Sequence, residues 1–202
     1  MLKRRAALGF RAHSGWAALI GLAEPVDAPV VILRRRIELA DYGVAGSAQP
    51  YHAAARMSLD NAESYLRGRS DASGGSARAA VTSALAELSD YQVTGASVLL
   101  ASGRALPGLA ATLASHALIH TAEGEFYRTA LQDACESCSL GETGIKERGL
   151  LAEAALALGR SEQDLQTTVS GLGKAVGAPW GRDQKMSALA AWVVLACVRP
   201  RE

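Results

Sequence analysis

AALGFRAHSGWAALIGLAE, residues 6–24, decides the fold. Two short apolar runs, 6–12 and 16–24, flank His13-Ser14-Gly15, which reads as a turn. Glu24-Pro25-Val26-Asp27-Ala28-Pro29 makes a second turn, and PVVILRRRIEL (29–39) follows, rich in β-branched residues. Short runs punctuated by Gly, Pro and Asp predict an antiparallel meander of three strands.

Working outward, the texture becomes helical from Pro50 to Leu66 and again from Ala77 to Leu88, with GRSDASGGS (68–76) between them expected to be flexible. VTGASVLLAS (93–102) reads as a fourth strand, and Pro107 suits the first turn of the helix after it. That helical character lasts to Leu140, with a break expected near Gly124. ETGIKER (142–148) is read as a short fifth strand and LLAEAALALG (150–159) as a helix ended by Gly159. A mixed linker and then a helix from about Lys185 to Cys197 complete the chain, and no internal repeat is found. The order β-β-β-α-β-α-β-α predicts one α/β domain over residues 1–202, with a mixed five-stranded sheet.

The bulk numbers agree with a single core. The 202 residues are 49% hydrophobic, 20% charged and 5% aromatic, with a formal charge of +1. That balance supplies no global basic field, so any nucleic-acid binding must come from a local patch. The longest apolar run, near LAAWVVLAC (189–197), is too short for a bilayer, and Arg11 and His13 interrupt the opening stretch where a signal peptide would need an apolar core. Three cysteines, Cys135, Cys138 and Cys197, and no secretion signal point to the cytoplasm. Cys135 and Cys138 have CxxC spacing but lack the second pair of a structural zinc site; they read as a redox pair or as two small half-buried residues.

Three stretches resemble the ribonuclease-H-like superfamily, and within it the RuvC-type Holliday-junction resolvases. GFRAHSGWAALIGL (9–22) is similar to the first hairpin, SVLLASGRALPGLAATLASHAL (97–118) to the fourth strand running into an Ala-rich helix, and APWGRDQKMSALAAWVVLA (178–196) to the terminal helix. The resemblance implies helices on both faces of the sheet. It also implies, for members that cleave nucleic acid, two divalent cations held by carboxylates on the first strand, the fourth strand and the last helix. Here those places fall at or beside Arg11, at Ala101 and Ser102, and at Asp183, with Gln184 and Ser187 beyond it. One carboxylate cannot offset two hard cations, so two-metal nuclease chemistry is not expected. The likeness extends to the actin-like phosphotransferases, whose first hairpin turn grips phosphate; Ala12-His13-Ser14-Gly15 matches that turn, without that branch's acidic residue.

In this fold the first and fourth strands end at one edge of the sheet, where ligands of open α/β sheets bind. That edge would gather Arg11, His13, Ser14, Ser102 and Arg104, joined by Arg182, Asp183 and Lys185 from the last helix. A mostly basic cluster near helix N-termini suits a phosphate, hence a nucleic acid or a nucleotide. It is equally readable as a solvated rim. LRRRIEL (33–39) puts Arg34 and Arg36 on one strand face and Arg35 on the other; it reads as edge protection or as a short phosphate patch.

SHALIHTAEGEFYR (115–128) raises a second candidate. His116, His120 and Glu123 form a stripe at i, i+4 and i+7, able to serve as metal ligands or acid–base groups, or simply as a buried polar network. HALIH has the histidine spacing of HExxH without its glutamate. Counting from Pro107, the stripe is expected about 14 Å along a helix that leads away from the ligand edge. No cofactor is implied, and no metal is assigned. A homo-oligomer or a partner-binding protein using the alanine-rich helices is the remaining reading.

Overall fold

The computed structural model describes residues 3–101, 103 and 105–197. Its five strands are β1 (Arg4–His13), β2 (Trp16–Ala23), β3 (Val30–Glu38), β4 (Tyr91–Leu100) and β5 (Glu142–Lys146). They lie in the order β3-β2-β1-β4-β5. β1–β2 and β2–β3 pair antiparallel, whereas β1–β4 and β4–β5 pair parallel. This is the ribonuclease-H-like sheet, with RuvC-type topology.

Strand periodicity divides the core. Leu8 and Phe10 of β1, with Ala17 and Leu19 of β2, face α2 (Leu59–Glu87) and α4 (His116–Ser137). Ala7, Ile20 and Leu22 face α5 (Leu150–Leu158), α6 (Glu162–Val176) and α7 (Arg182–Cys197). Because both faces are covered, residues 6–10 of β1 are all buried, as a central strand requires. Gly9 lets α7 sit directly on β1: a Cβ there would stand 2.0 Å from the Ser187 carbonyl oxygen and 2.9 Å from the Ala191 nitrogen. That close approach brings the start of α7 over the end of β1.

Three expectations are corrected. GRSDASGGS does not separate two helices; it lies inside α2, a single 29-residue helix. Its buried face steps through Ala62, Leu66, Ser73, Ala77, Val81 and Ala84, so the glycines fall on the exposed side and tertiary packing overrides their low propensity. α4 runs unbroken through Gly124; the interruption comes earlier, between α3 (Leu109–Leu113) and α4. The supposed linker after Gly159 is α6, capped by the Ser161 hydroxyl, which accepts from the Asp164 amide. Ser161, Asp164 and the Leu165–Val169 spacing were the helix-start signal in that stretch. A short helix, α1 (Pro50–Ala54), packs with α2 and α3 in a small satellite core that includes Ala54, Ala62, Leu66 and Leu109. None of the helices among the described residues is long and apolar enough to cross a membrane.

Candidate functional site at the carboxyl-terminal sheet edge

The alternation that turns Ala7 and Gly9 toward α7 turns Arg11 and His13 the same way. Asp183 stands one helical turn before Ser187, the residue seated on Gly9, so it arrives above Arg11. Arg11 Nη1 donates to Asp183 Oδ1. The same guanidinium grips Glu147, one residue beyond β5, with Nη2 2.8 Å from Oε1 and Nε 3.2 Å from Oε2. The Glu147 amide is itself fixed by the Leu100 carbonyl at 2.8 Å, which ties the carboxylate to the end of β4. Arg11 thus bridges two carboxylates from two different elements, with only 14% of its side chain exposed.

The electrostatics follow from that bridge. Partial burial pushes the Glu147 carboxyl upward, but the hydrogen bonds and charge of Arg11, with Arg182 behind it, outweigh burial and hold it below its ordinary value. Arg11 is correspondingly raised: burial opposes its charge, and Glu147 and Asp183 more than restore it. His13 Nε2 lies 2.9 Å from Arg11 Nη1 and 3.1 Å from Asp183 Oδ1. It can accept from the arginine or donate to the aspartate, one at a time. The imidazole stacks on Trp16, with centroids 4.3 Å apart, and Arg36 covers the Trp16 ring at 3.9 Å.

Of the residues anticipated at this edge, Arg11, His13, Asp183 and Arg182 are brought together. Arg182 reaches Glu147 Oε1 at 3.1 Å while its side chain stays 74% exposed. Ser14 is exposed in the hairpin turn, where Gly15 takes φ 82°. Lys185 lines a cleft of about 600 Å³ between α5, α6 and α7, whose wall also includes Glu147, Leu150, Leu165, Val169 and Leu189. Ser102 and Arg104 lie outside the described residues. Glu147 is the residue that sequence reasoning missed; its only signal was its place just past the fifth strand. It changes the count from one edge carboxylate to two, and it changes the role of Arg11, which is engaged within the protein. Two carboxylates already spanned by a guanidinium do not fit a pair of divalent cations.

The histidine stripe lies elsewhere than expected. His116 is the first residue of α4, so the rise counted from Pro107 does not apply. α4 connects β4 to the parallel β5, which places its first turn toward the carboxyl ends of the strands rather than away from them. The stripe also has an unanticipated member, His52 of α1. Ligand-capable nitrogens of His52, His116 and His120 all lie within 4.8 Å of one another. His116 Nε2 and His120 Nε2 are 3.1 Å apart. Glu123 is not a third ligand in line; only 2% exposed, it sits behind His52, with Oε1 2.9 Å from Nδ1 and accepting the His52 amide at 3.2 Å. The Nδ1 contact is ion-pair close but off the hydrogen-bond axis, so a small turn of the ring would align it.

The other motifs resolve structurally. Arg34 donates to the carbonyls of Gly177 and Pro179 at 2.6 and 3.0 Å. Arg35 pairs with Glu87 of α2, and Arg36 with Glu38 at 2.7 Å. Arg34 and Arg35 tether the edge strand β3 to its neighbours, whereas the Arg36–Glu38 pair lies within the strand. Cys135 is buried and its thiol is pushed up to about 12, chiefly by desolvation, so it lacks the thiolate of a redox pair. Trp192 is fully buried, its indole donating to the Val26 carbonyl at 2.7 Å.

No family model and no curated protein matches the chain. Solved structures do. RuvC of T. thermophilus in complex with Holliday junction substrate is similar at 10% identity and TM-score 0.55, over 94% of this chain and 91% of that one. A second Thermus thermophilus RuvC structure is similar at 11% identity and TM-score 0.54, over 93% and 92%. The shared property is the fold.

Proposed function

We propose that this chain binds a phosphorylated ligand, nucleic acid foremost, at the carboxyl-terminal edge of its sheet, without the two-metal cleavage of nucleases of this fold. The observation that carries the reading is Arg11. At the first-strand place where metal-dependent members hold a carboxylate, this chain carries a guanidinium that is already paired with both Glu147 and Asp183. Cations are supplied here by the protein. Because Arg11 is committed, phosphate contacts fall, among the described residues, to the groups around it: Arg182, Lys185 and the His13-Ser14 turn. The RuvC complex with a Holliday junction puts branched DNA first among ligands to try. A nucleotide would satisfy the same chemistry and serves as competitor.

The test is fluorescence anisotropy with labelled single-stranded and four-way-junction DNA across a salt series, alongside incubation of the junction with Mg²⁺ or Mn²⁺. Affinity should fall steeply with salt, with a log–log slope of about −3 if three or four phosphates are neutralised, and the junction should stay intact. Failure to bind at low salt overturns the ligand; metal-dependent cutting abolished by Asp183→Asn overturns the loss of cleavage.

A further inference from the structure

We infer that His52, His116 and His120 form a site for one divalent transition-metal ion, zinc foremost, with Glu123 positioning His52. The inference is independent of DNA binding. Three imidazoles from two helices converge: helix geometry pairs His116 and His120, one turn apart on α4, but nothing local in the chain forces His52 of α1 to join them. Tetrahedral zinc with Zn–N bonds of about 2.05 Å holds its nitrogens about 3.3 Å apart. The His116–His120 separation of 3.1 Å already matches, and the 4.8 Å limit on the whole set leaves a change of side-chain rotamer, not of backbone, to complete the geometry.

Glu123 supplies the second observation. A histidine that ligates a metal donates its other ring nitrogen to a carboxylate or carbonyl, which sets its tautomer and raises its basicity. Glu123 is buried with one oxygen against both the Nδ1 and the backbone amide of His52. Once the ring turns to align Nδ1 with Glu123, Nε2 is left as the coordinating atom. A merely structural trio would need no such carboxylate behind one member, since His116 and His120 can satisfy each other and face solvent. Neutral nitrogen donors select zinc-class ions over Mg²⁺ or Ca²⁺. Three protein ligands leave a fourth position for water or a ligand anion. A depression of about 490 Å³ lies beside His52, lined by Gln49, Ala53, Arg56 and Met57.

The test uses the full chain without a histidine tag, stripped by chelation and titrated calorimetrically with Zn²⁺; Co²⁺ reports the ligand field through its visible bands. One ion per chain should bind, and saturating zinc should raise the melting temperature by roughly 5–10 °C. His52→Ala and His120→Ala should each weaken binding at least 100-fold, and Glu123→Gln about 10- to 100-fold. His120 is exposed, so its variant should melt like the wild type without metal, which separates lost ligation from lost folding. Three results overturn the site: no one-to-one binding at 100 µM zinc (about a hundredfold above a modest Kd), His52→Ala binding as tightly as wild type, or binding that persists in both histidine variants and disappears with Cys197→Ser.

Discussion

Removing the Arg11 side chain would leave Glu147 and Asp183 facing one another across a partly buried gap, each having lost its main cation. Arg11→Met should therefore cost about 2 kcal/mol at pH 7, less than a fully buried pair would because both acids keep some solvent. Urea unfolding measures it. The pH dependence has a definite sign. The folded Glu147 carboxyl lies below its ordinary value, so its contribution is fully present above the unfolded carboxylate range near pH 4.3 and is lost as pH falls through the folded value. Glu147→Gln should flatten the acid limb of stability below about pH 4, and the gap between wild type and Arg11→Met should narrow there. An unchanged acid limb would show that the bridge carries no stability. This pairing was legible only in part: Arg11 and Asp183 were placed at one edge by fold, but Glu147, far away in sequence, had no local mark.

At the scale of elements, two glycine sites with opposite roles make opposite predictions. A Cβ on Gly9 would collide with the backbone of α7, which cannot yield as a side-chain tip could. Gly9→Ala should lift α7 from β1 and lose about 3 kcal/mol or more, visible as a lower midpoint in urea. It should also disturb the Arg11–Asp183 contact, because Asp183 rides on the same helix. Gly74 and Gly75 sit within α2, and a methyl group added at either would meet nothing within 4 Å. Changing both to alanine should raise stability by about 1–2 kcal/mol, since alanine is the better helix former by roughly that amount over two sites. A fall in melting temperature would mean that the segment is not helical in solution. Local composition alone said flexible here, because Gly and Ser lower helix propensity; only the buried face against α4 shows why the helix continues.

For the molecule as a whole, function is a matter of one sheet edge and its surrounding charge. The net charge of +1 provides little long-range attraction, so binding must be local. Arg182, largely exposed although it reaches Glu147, and Lys185 are cations near the start of α7 among the described residues. Reversing both to glutamate should weaken junction DNA binding at every salt concentration and make the log–log slope shallower by about 2. The fold itself should survive, as judged by a cooperative melting curve, with a slightly lower midpoint from the lost Arg182–Glu147 pair. An unchanged slope would move the ligand away from this edge.

The order of the five strands followed from the sequence by itself, whereas α6 and the helix breaks did not. Short apolar runs broken by Gly, Pro and Asp specify a meander, and a β-branched run followed by helix and strand specifies the parallel crossover. These are local signals, set by backbone sterics and turn chemistry within a few residues. The expected fold also put Arg11, His13 and Asp183 at one sheet edge. Only the tertiary structure decided which groups meet: Glu147 with Arg11, His52 with His116 and His120, and the face of α2 that makes a Gly-Ser stretch helical. Those outcomes depend on burial and charge pairing between segments far apart in the chain, and no window of sequence contains both partners.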